Sequence, residues 1–265
     1  MKELFSYNYF DNEGKKILTI SGEKNPDMGM DITIYRLQAG EERRFQSDYQ
    51  EIAILLVEGE VTYTYENICR QVIRDHFVED GPYCLHMSRG FQIKIQAIKD
   101  SEILVQKAEN LKTFEAVFYE PVNCREETFG ERAWEGKMKR LVRTIFDYEN
   151  APYSNMVMGE VITFQGGWSS YAPHSHIQPE VYYYRYEKQE GFGACFIGEK
   201  VFLIQDGSCA KIPGGLTHPQ VTAPGYPMYY CWMIRHLDDN PWTKRVIDSK
   251  YKWLDEKGDY KWNAI

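Results

Sequence analysis

The chain has 265 residues, of which 43% are hydrophobic and 15% aromatic. A polypeptide of that length and content can bury a core without staples, which excludes intrinsic disorder. Lys and Arg number 31 against 39 Asp and Glu, a formal net charge of −8, and no basic stripe for a nucleic acid is visible.

Residues 1–16 hold no apolar run of signal-peptide length, and no stretch of about 18 apolar residues occurs anywhere. Neither a secretion signal nor a membrane span is therefore expected. Cys69, Cys84, Cys124, Cys195, Cys209 and Cys231 are scattered without a C-x-x-C pair. They read as free thiols in a reducing cytoplasm.

In chain order, 31–37 (DITIYRL) alternates apolar and polar residues, and 52–57 (IAILLV) is a continuous β-rich run. A turn at 58–60 leads to the alternating 61–65 (VTYTY), and a turn at 80–82 precedes 91–97 (FQIKIQA). Only 131–143 carries a helical pattern, predicting a short helix in the middle of the chain. Beyond a turn at 166–167 come 181–186 (VYYYRY) and 228–234 (MYYCWMI), separated by turns at 206–207 and 213–215. Short strands at this spacing predict an all-β sandwich or barrel, and the 20 Tyr and 13 Phe favour sheet.

An internal repeat is visible. CLHMSRGFQIKIQA (84–97) and AKIPGGLTHPQVTA (210–223), aligned on Gly90 and Gly215, both read strand, tight turn, strand. His218 then falls opposite Ile93, so only the second half is expected to carry chemistry. The halves are expected at 1–115 and 151–265, joined by a connector at 116–150.

The chemistry concentrates on histidine. His174, Ser175 and His176 form a His-x-His, which on a strand points both rings to one face at a Cα spacing of about 7 Å. Glu180 follows past a turn at Gln178-Pro179 and can supply an oxygen. The second piece is Gly207-x5-Pro213-x-Gly215-x2-His218, a tight turn opening a strand with a histidine. Three imidazoles and a carboxylate suit Zn, Fe, Mn, Ni or Cu without choosing among them. His76, His86 and His236 have no such partners and read as surface or packing histidines.

These two pieces, GWSSYAPHSHIQPE (167–180) and DGSCAKIPGGLTHP (206–219), resemble the two motifs of the cupin superfamily, whose fold is a jelly-roll β-barrel. A wider set resembles the 5-deoxy-glucuronate isomerase family of inositol catabolism, and its relative 4-deoxy-L-threo-5-hexosulose-uronate ketol-isomerase. It comprises Gly159-Glu160-Val161, GGWSSYAPHSH, EVYYYRY, QEGFG, APGYPMYY and, near the C-terminus, DDNPWTKRVIDSKYKWL. LLVEGEVTYTYE and GPYCLHMSRGFQIKIQA look like that family's degenerate first cupin. The chain departs from the family pattern in two places. Only Ile177, Gln178 and Pro179 separate His176 from Glu180, and Cys231-Trp232-Met233 follows the Tyr229-Tyr230 pair where Asn and small residues are usual.

The resemblance implies an all-β bicupin of two tandem jelly-roll β-barrels, a degenerate one at 1–115 and a metal-binding one at 151–265. It implies a cytoplasmic aldose–ketose isomerase acting on a deoxy-uronate, with a divalent transition metal on His174, His176, Glu180 and His218. Zinc is the expected ion, with manganese, iron or nickel as alternatives. Glu180, or a hydroxide at the metal, would be the base. Alternation places Tyr182, Tyr184 and Tyr186 on the Glu180 face, where hydroxyls could meet the sugar. An acidic protein handling an acidic sugar needs a local cation. Arg185, Lys211 and Arg235 are nearest in sequence; alternation turns Arg185 away, and Lys211 is taken into the site with Tyr182 and Tyr184. Two rival readings stay open: an Fe(II) oxygenase on the same ligand set, and a sugar-binding cupin without catalysis. A small sugar is the expected partner, with a homo-oligomer and neither nucleic acid nor membrane.

Overall fold

Strands form where the apolar residues alternate. In the computed structural model, which describes residues 3–23 and 26–256, the first alternating run is the strand Asp31–Leu37, with its even-numbered isoleucines buried. The second-half runs are the strands Glu180–Tyr186 and Met228–Arg235.

The runs at 52–57 and 61–65 are one strand, Gln50–Tyr65, which continues through the expected turn at 58–60 just after a bulge between Leu56 and Glu58. Gly59 makes this possible. Its φ is +115°, and a Cβ there would stand 2.3 Å from the Ser101 Oγ. The long strand thereby bends and serves two sheet layers. Before the bend it pairs with Tyr83–Met87 and Ser101–Glu109; after it, with Ile68–Arg74 and Ile93–Ala97.

The second half has a seven-stranded sheet and a four-stranded sheet. The larger runs Phe5–Ser6, Cys209–Ile212, Glu180–Tyr186, Met228–Arg235, Met156–Thr163, Arg140–Phe146, Arg125–Phe129. The smaller runs Trp168–Ser169, Gln220–Thr222, Phe192–Ile197, Lys200–Gln205. The result is all-β, with two jelly-roll units side by side.

Three apolar clusters follow from strand alternation. Ile54, Tyr63, Ile93 and Ile95 fill the first unit. Tyr182, Tyr184, Tyr230 and Trp232 belong to the interior of the second. Between them, Leu55 and Leu104 of one half pack with Val181, Tyr183 and Tyr229 of the other. This middle layer also buries ions: the Arg74 guanidinium meets both Glu160 carboxylate oxygens at 2.7 and 2.9 Å, with neither side chain exposed.

Segment 116–150, expected as a connector, contributes strands to both halves. Val117–Tyr119 pairs with Tyr83–Met87, whereas Arg125–Phe129 and Arg140–Phe146 extend the seven-stranded sheet. The helix expected at 131–143 is absent. Only a 3-10 turn, Ala133–Gly136, occurs there, and Gly130 and Gly136 both take positive φ. From Arg140 onward Val142, Thr144 and Ile145 favour the strand that forms. The repeat is visible as geometry: Gly90 and Gly215 sit in equivalent turns with φ of +88° and +85°. No helix among the described residues is long and apolar enough to cross a membrane. The expected second unit extends to residue 265, past the described residues.

Candidate metal centre and its cavity

Three short elements carry the histidines to the mouth of the second unit. His174 lies on the two-residue strand His174–Ser175, which pairs with Val246–Ile247. Glu180 opens the strand Glu180–Tyr186, and His218 precedes Gln220–Thr222. The 176 and 215 turns are tied by the Gly215 N–H, which donates to the His176 carbonyl at 2.7 Å. Gly214 has no alternative here, since a Cβ would lie 1.8 Å from the Ile177 carbonyl oxygen.

Ligand atoms of His176, Glu180 and His218 lie within 4.8 Å of one another, and all three residues are buried. His174 joins by ring contact, its centroid 4.9 Å from that of His218. Each imidazole donates Nδ1–H to a carbonyl two residues away at 2.9 Å: His174 to Ala172, His176 to Gln178, His218 to Leu216. A carbonyl can only accept, so the proton of each neutral ring is on Nδ1 and the lone pair is on Nε2.

That arrangement tests whether a cation belongs there. His176 Nε2 and His218 Nε2 stand 3.1 and 3.2 Å from the same atom, Glu180 Oε2. Two lone pairs then face a carboxylate oxygen, a set of acceptors that only a proton or a metal cation reconciles. His218 Nε2 is buried without a hydrogen-bond partner. Burial would raise the Glu180 pKa, but His176 and His218, where they carry a proton toward it, outweigh burial and hold the carboxyl below its usual range. Burial would lower His176, but its bond to Glu180 carries it upward. Burial, then the neighbouring His218 and Arg245, push His174 down to about 3, so it stays neutral and able to ligate. The donor set fits a divalent transition metal.

A cavity of about 400 Å³ opens beside these groups. Its floor is the inner face of the seven-stranded sheet. One row of it is set by register: Tyr182, Trp232, Gly159, Thr144 and Arg125 are successive cross-strand partners. Arg140, Lys244 and Arg245 line it as well.

Tyr182 lines the cavity, with its hydroxyl 3.1 Å from Ser170 Oγ. Burial, then Glu180, hold its pKa far above the ordinary value, so it remains a donor. Tyr184 and Tyr186 are on the same inner face but are spent elsewhere. Tyr184 donates to Gln220 Oε1 at 2.6 Å and Tyr186 meets Thr222 Oγ1 at 3.2 Å. Neither lines the cavity, so Tyr184 is a packing and network residue.

The expected cation is corrected. Lys211 sits between Ala210 and Ile212, which face the interior, so its own side chain leaves by the other face. Its Nζ lies 4.0 Å from Glu23. Arg185 does point away, bonding to Glu102 and Asp206 between the halves. Arg235 donates to the carbonyls of Asn155 and His236, away from the ligands. The cations that do line the cavity were missed for a local reason. Arg140 is on the strand that read as helix, and Lys244 and Arg245 are in an irregular loop with no periodic signal.

His86 is a packing histidine, buried against Glu51 at 2.9 Å and stacked on Phe146. His236 accepts from the Trp242 N–H at 2.8 Å.

The model of the KduI/IolB family matches residues 5–254. A 5-deoxy-glucuronate isomerase of Geobacillus thermodenitrificans is 25% identical over 90% of this chain and 94% of its own. One of Lacticaseibacillus casei is 27% identical over 75% and 80%. Among solved structures, an IolB-like protein of Salmonella typhimurium superposes with a TM-score of 0.86 at 21% identity, covering 96% of this chain and 99% of that one. Oxalate decarboxylase of Lactobacillus farciminis has the same fold at lower similarity, TM-score 0.67 and 12% identity, over 97% and 91%.

Proposed function

The chain belongs to the KduI/IolB family, and on that premise we propose that it is an aldose–ketose isomerase acting on a deoxy-uronate, most like 5-deoxy-glucuronate. The observation that carries this is the triad of His176, Glu180 and His218, with its lone pairs converging, at the edge of a cavity lined by cations. The proposed cofactor is a divalent transition metal, zinc first, held by those residues with His174. When bound it supplies a Lewis acid that polarises a sugar carbonyl.

The chain's own groups do the rest. The Nδ1–H tethers fix the ring orientations before substrate arrives. Both imidazoles contact Oε2 of Glu180, so Oε1 is the oxygen that would carry a proton between adjacent carbons. Tyr182, kept protonated, donates a hydrogen bond to a sugar oxygen. Lys244 and Arg245, exposed at the rim, draw in the carboxylate.

The test is direct. Purified protein is assayed for bound metal and incubated with 5-deoxy-glucuronate in D2O, followed by NMR. Aldehyde loss with a ketose appearing, and deuterium entering beside the carbonyl, is the expected result; no conversion across a panel of deoxy-uronates would sink the reading. Arg245→Ala is expected to raise KM about tenfold with kcat nearly unchanged, the loss of one charge-assisted contact. A fall in kcat at constant KM would place Arg245 elsewhere in the reaction.

A further inference from the structure

A carboxamide is costly to bury unless both of its ends are bonded. Gln220 opens the strand Gln220–Thr222, with Ser169 and Cys195 as cross-strand partners, and its side chain is completely buried. Its two ends meet different groups. On one side Tyr184, from the facing seven-stranded sheet, donates to Oε1 at 2.6 Å. On the other side Nε2 lies 3.4 Å from Ser170 Oγ, and that oxygen lies 3.1 Å from the Tyr182 hydroxyl.

The lengths fix which end is which. A contact of 2.6 Å suits O–H···O and is short for N–H···O, so the carbonyl end faces Tyr184. The amino end then faces Ser170, and it can only donate. Having accepted there, Ser170 has its own proton to give, and the Tyr182 oxygen is in reach of it. Tyr230 also lies beside Ser170, but Ser169 is its stronger partner. The bonds therefore run one way, from Tyr184 to Gln220 to Ser170 to Tyr182. Ser170 and Tyr182 line the cavity, whereas Tyr184 and Gln220 stand behind it. The proton left over at the end of the chain, that of Tyr182, is turned from Ser170 toward the cavity. Without Gln220 the direction is not set: a phenol beside a serine gives or takes with equal ease, and a Tyr182 that gives to Ser170 has nothing to offer a ligand.

We propose that Gln220 is a positioning residue: by donating to Ser170 it sets the direction of these hydrogen bonds, so that Tyr182 presents its proton to a sugar oxygen in the cavity. The proposal rests on the isomerase reading for the sugar, and on the bonds between Tyr184, Gln220, Ser170 and Tyr182 for the direction.

Gln220→Glu keeps the shape of the side chain and reverses the direction. A carboxylate accepts on both sides, so Ser170 gives its proton to position 220 and takes one from Tyr182. In metal-loaded protein, kcat on 5-deoxy-glucuronate is expected to fall about tenfold, with metal content unchanged and KM moved by less than about twofold. Tyr184→Phe removes the donor that holds the carbonyl end, frees the amide to turn over, and is expected to cost about threefold. In a Tyr182→Phe background both losses are expected to shrink below about twofold, because no hydroxyl is left to steer. An unchanged kcat in Gln220→Glu, or losses that simply add to that of Tyr182→Phe, would overturn the proposal, since packing or a new charge beside the metal acts whether or not Tyr182 has its hydroxyl.

A second measurement needs no turnover. In an equal mixture of H2O and D2O, the Cζ carbon of a tyrosine splits into two lines when its hydroxyl exchanges slowly. The protein is labelled with carbon-13 at tyrosine Cζ, and the signals are assigned through the two phenylalanine variants. Tyr184 is expected to split, and Tyr182, its proton facing cavity water, to give one line; in Gln220→Glu, Tyr182 is expected to split as well. A split Tyr182 signal in the wild type, or an unsplit one in Gln220→Glu, would overturn the proposal. If the wild type converts no deoxy-uronate, the isomerase reading falls and these lines alone decide the direction of the bonds. If Gln220→Glu does not hold metal, Tyr184→Phe decides the kinetics.

Discussion

His176→Ala is expected to lose bound metal and isomerase activity together, with turnover falling on the order of a thousandfold or more. The size follows from a Lewis acid worth several kcal/mol of transition-state stabilisation, each factor of ten being about 1.4 kcal/mol. The cause lies in the geometry of the site. His176 and His218 converge on one carboxylate oxygen at 3.1 and 3.2 Å, and the carbonyls of Gln178 and Leu216 hold their Nδ1 protons away from it. Removing one imidazole takes away one of the two lone pairs that converge beside Glu180, and nothing else within the triad replaces that ligand atom. Metal content by mass spectrometry and activity on the same sample are the measurements. Full activity in metal-free His176→Ala protein would show that the triad is not the reacting centre.

Glu160→Gln is expected to cost stability rather than chemistry. Glu160 and Arg74 are completely buried, and the pair is bidentate. Tyr229 donates to the same carboxylate at 2.7 Å, and Arg143 approaches it at 3.9 Å. Arg74 also donates to the carbonyls of Leu56, Phe77 and Asp80. It is ionised in the fold: burial works against its charge, and Glu160 more than restores it. Neutralising Glu160 strands a guanidinium in the layer between the halves, a change worth about 3–5 kcal/mol of destabilisation. For a chain of this size that corresponds to a fall in Tm of roughly 6–20 °C. Thermal and urea unfolding of metal-loaded protein measure it. A loss below about 1 kcal/mol would mean that the cluster is solvated or relaxes freely.

The sequence was most readable where one side chain period decides the outcome. Period-two alternation placed Asp31–Leu37 and, carried along the continuous β-rich run 181–186, turned Arg185 out of the cavity. The same rule, applied from Ile212, would also have turned Lys211 away, since both residues are on the strand Cys209–Ile212. The histidines were readable because the His-x-His and Pro-x-Gly turns are local geometry with fixed spacing. What was illegible depends on register between distant strands. No spacing within 125–144 or 228–235 announces that Arg125, Thr144, Gly159 and Trp232 form one row. Likewise the Gln50–Tyr65 strand looked like two, because a glycine inside a bending strand and a glycine that makes a turn are written alike.

Phe5 and Ser6 pair with Ala210 and Cys209, as the edge of the seven-stranded sheet that otherwise belongs to the second half. On the ribosome this strand is made before its partner, which follows about two hundred residues later in synthesis. Loop-closure entropy makes so distant a pairing late and slow, so the first unit is finished while its own leading residues still lie unused. The two halves thus repeat one another in shape but are not separable in assembly: cutting the chain at its middle strands the opening segment on the wrong fragment.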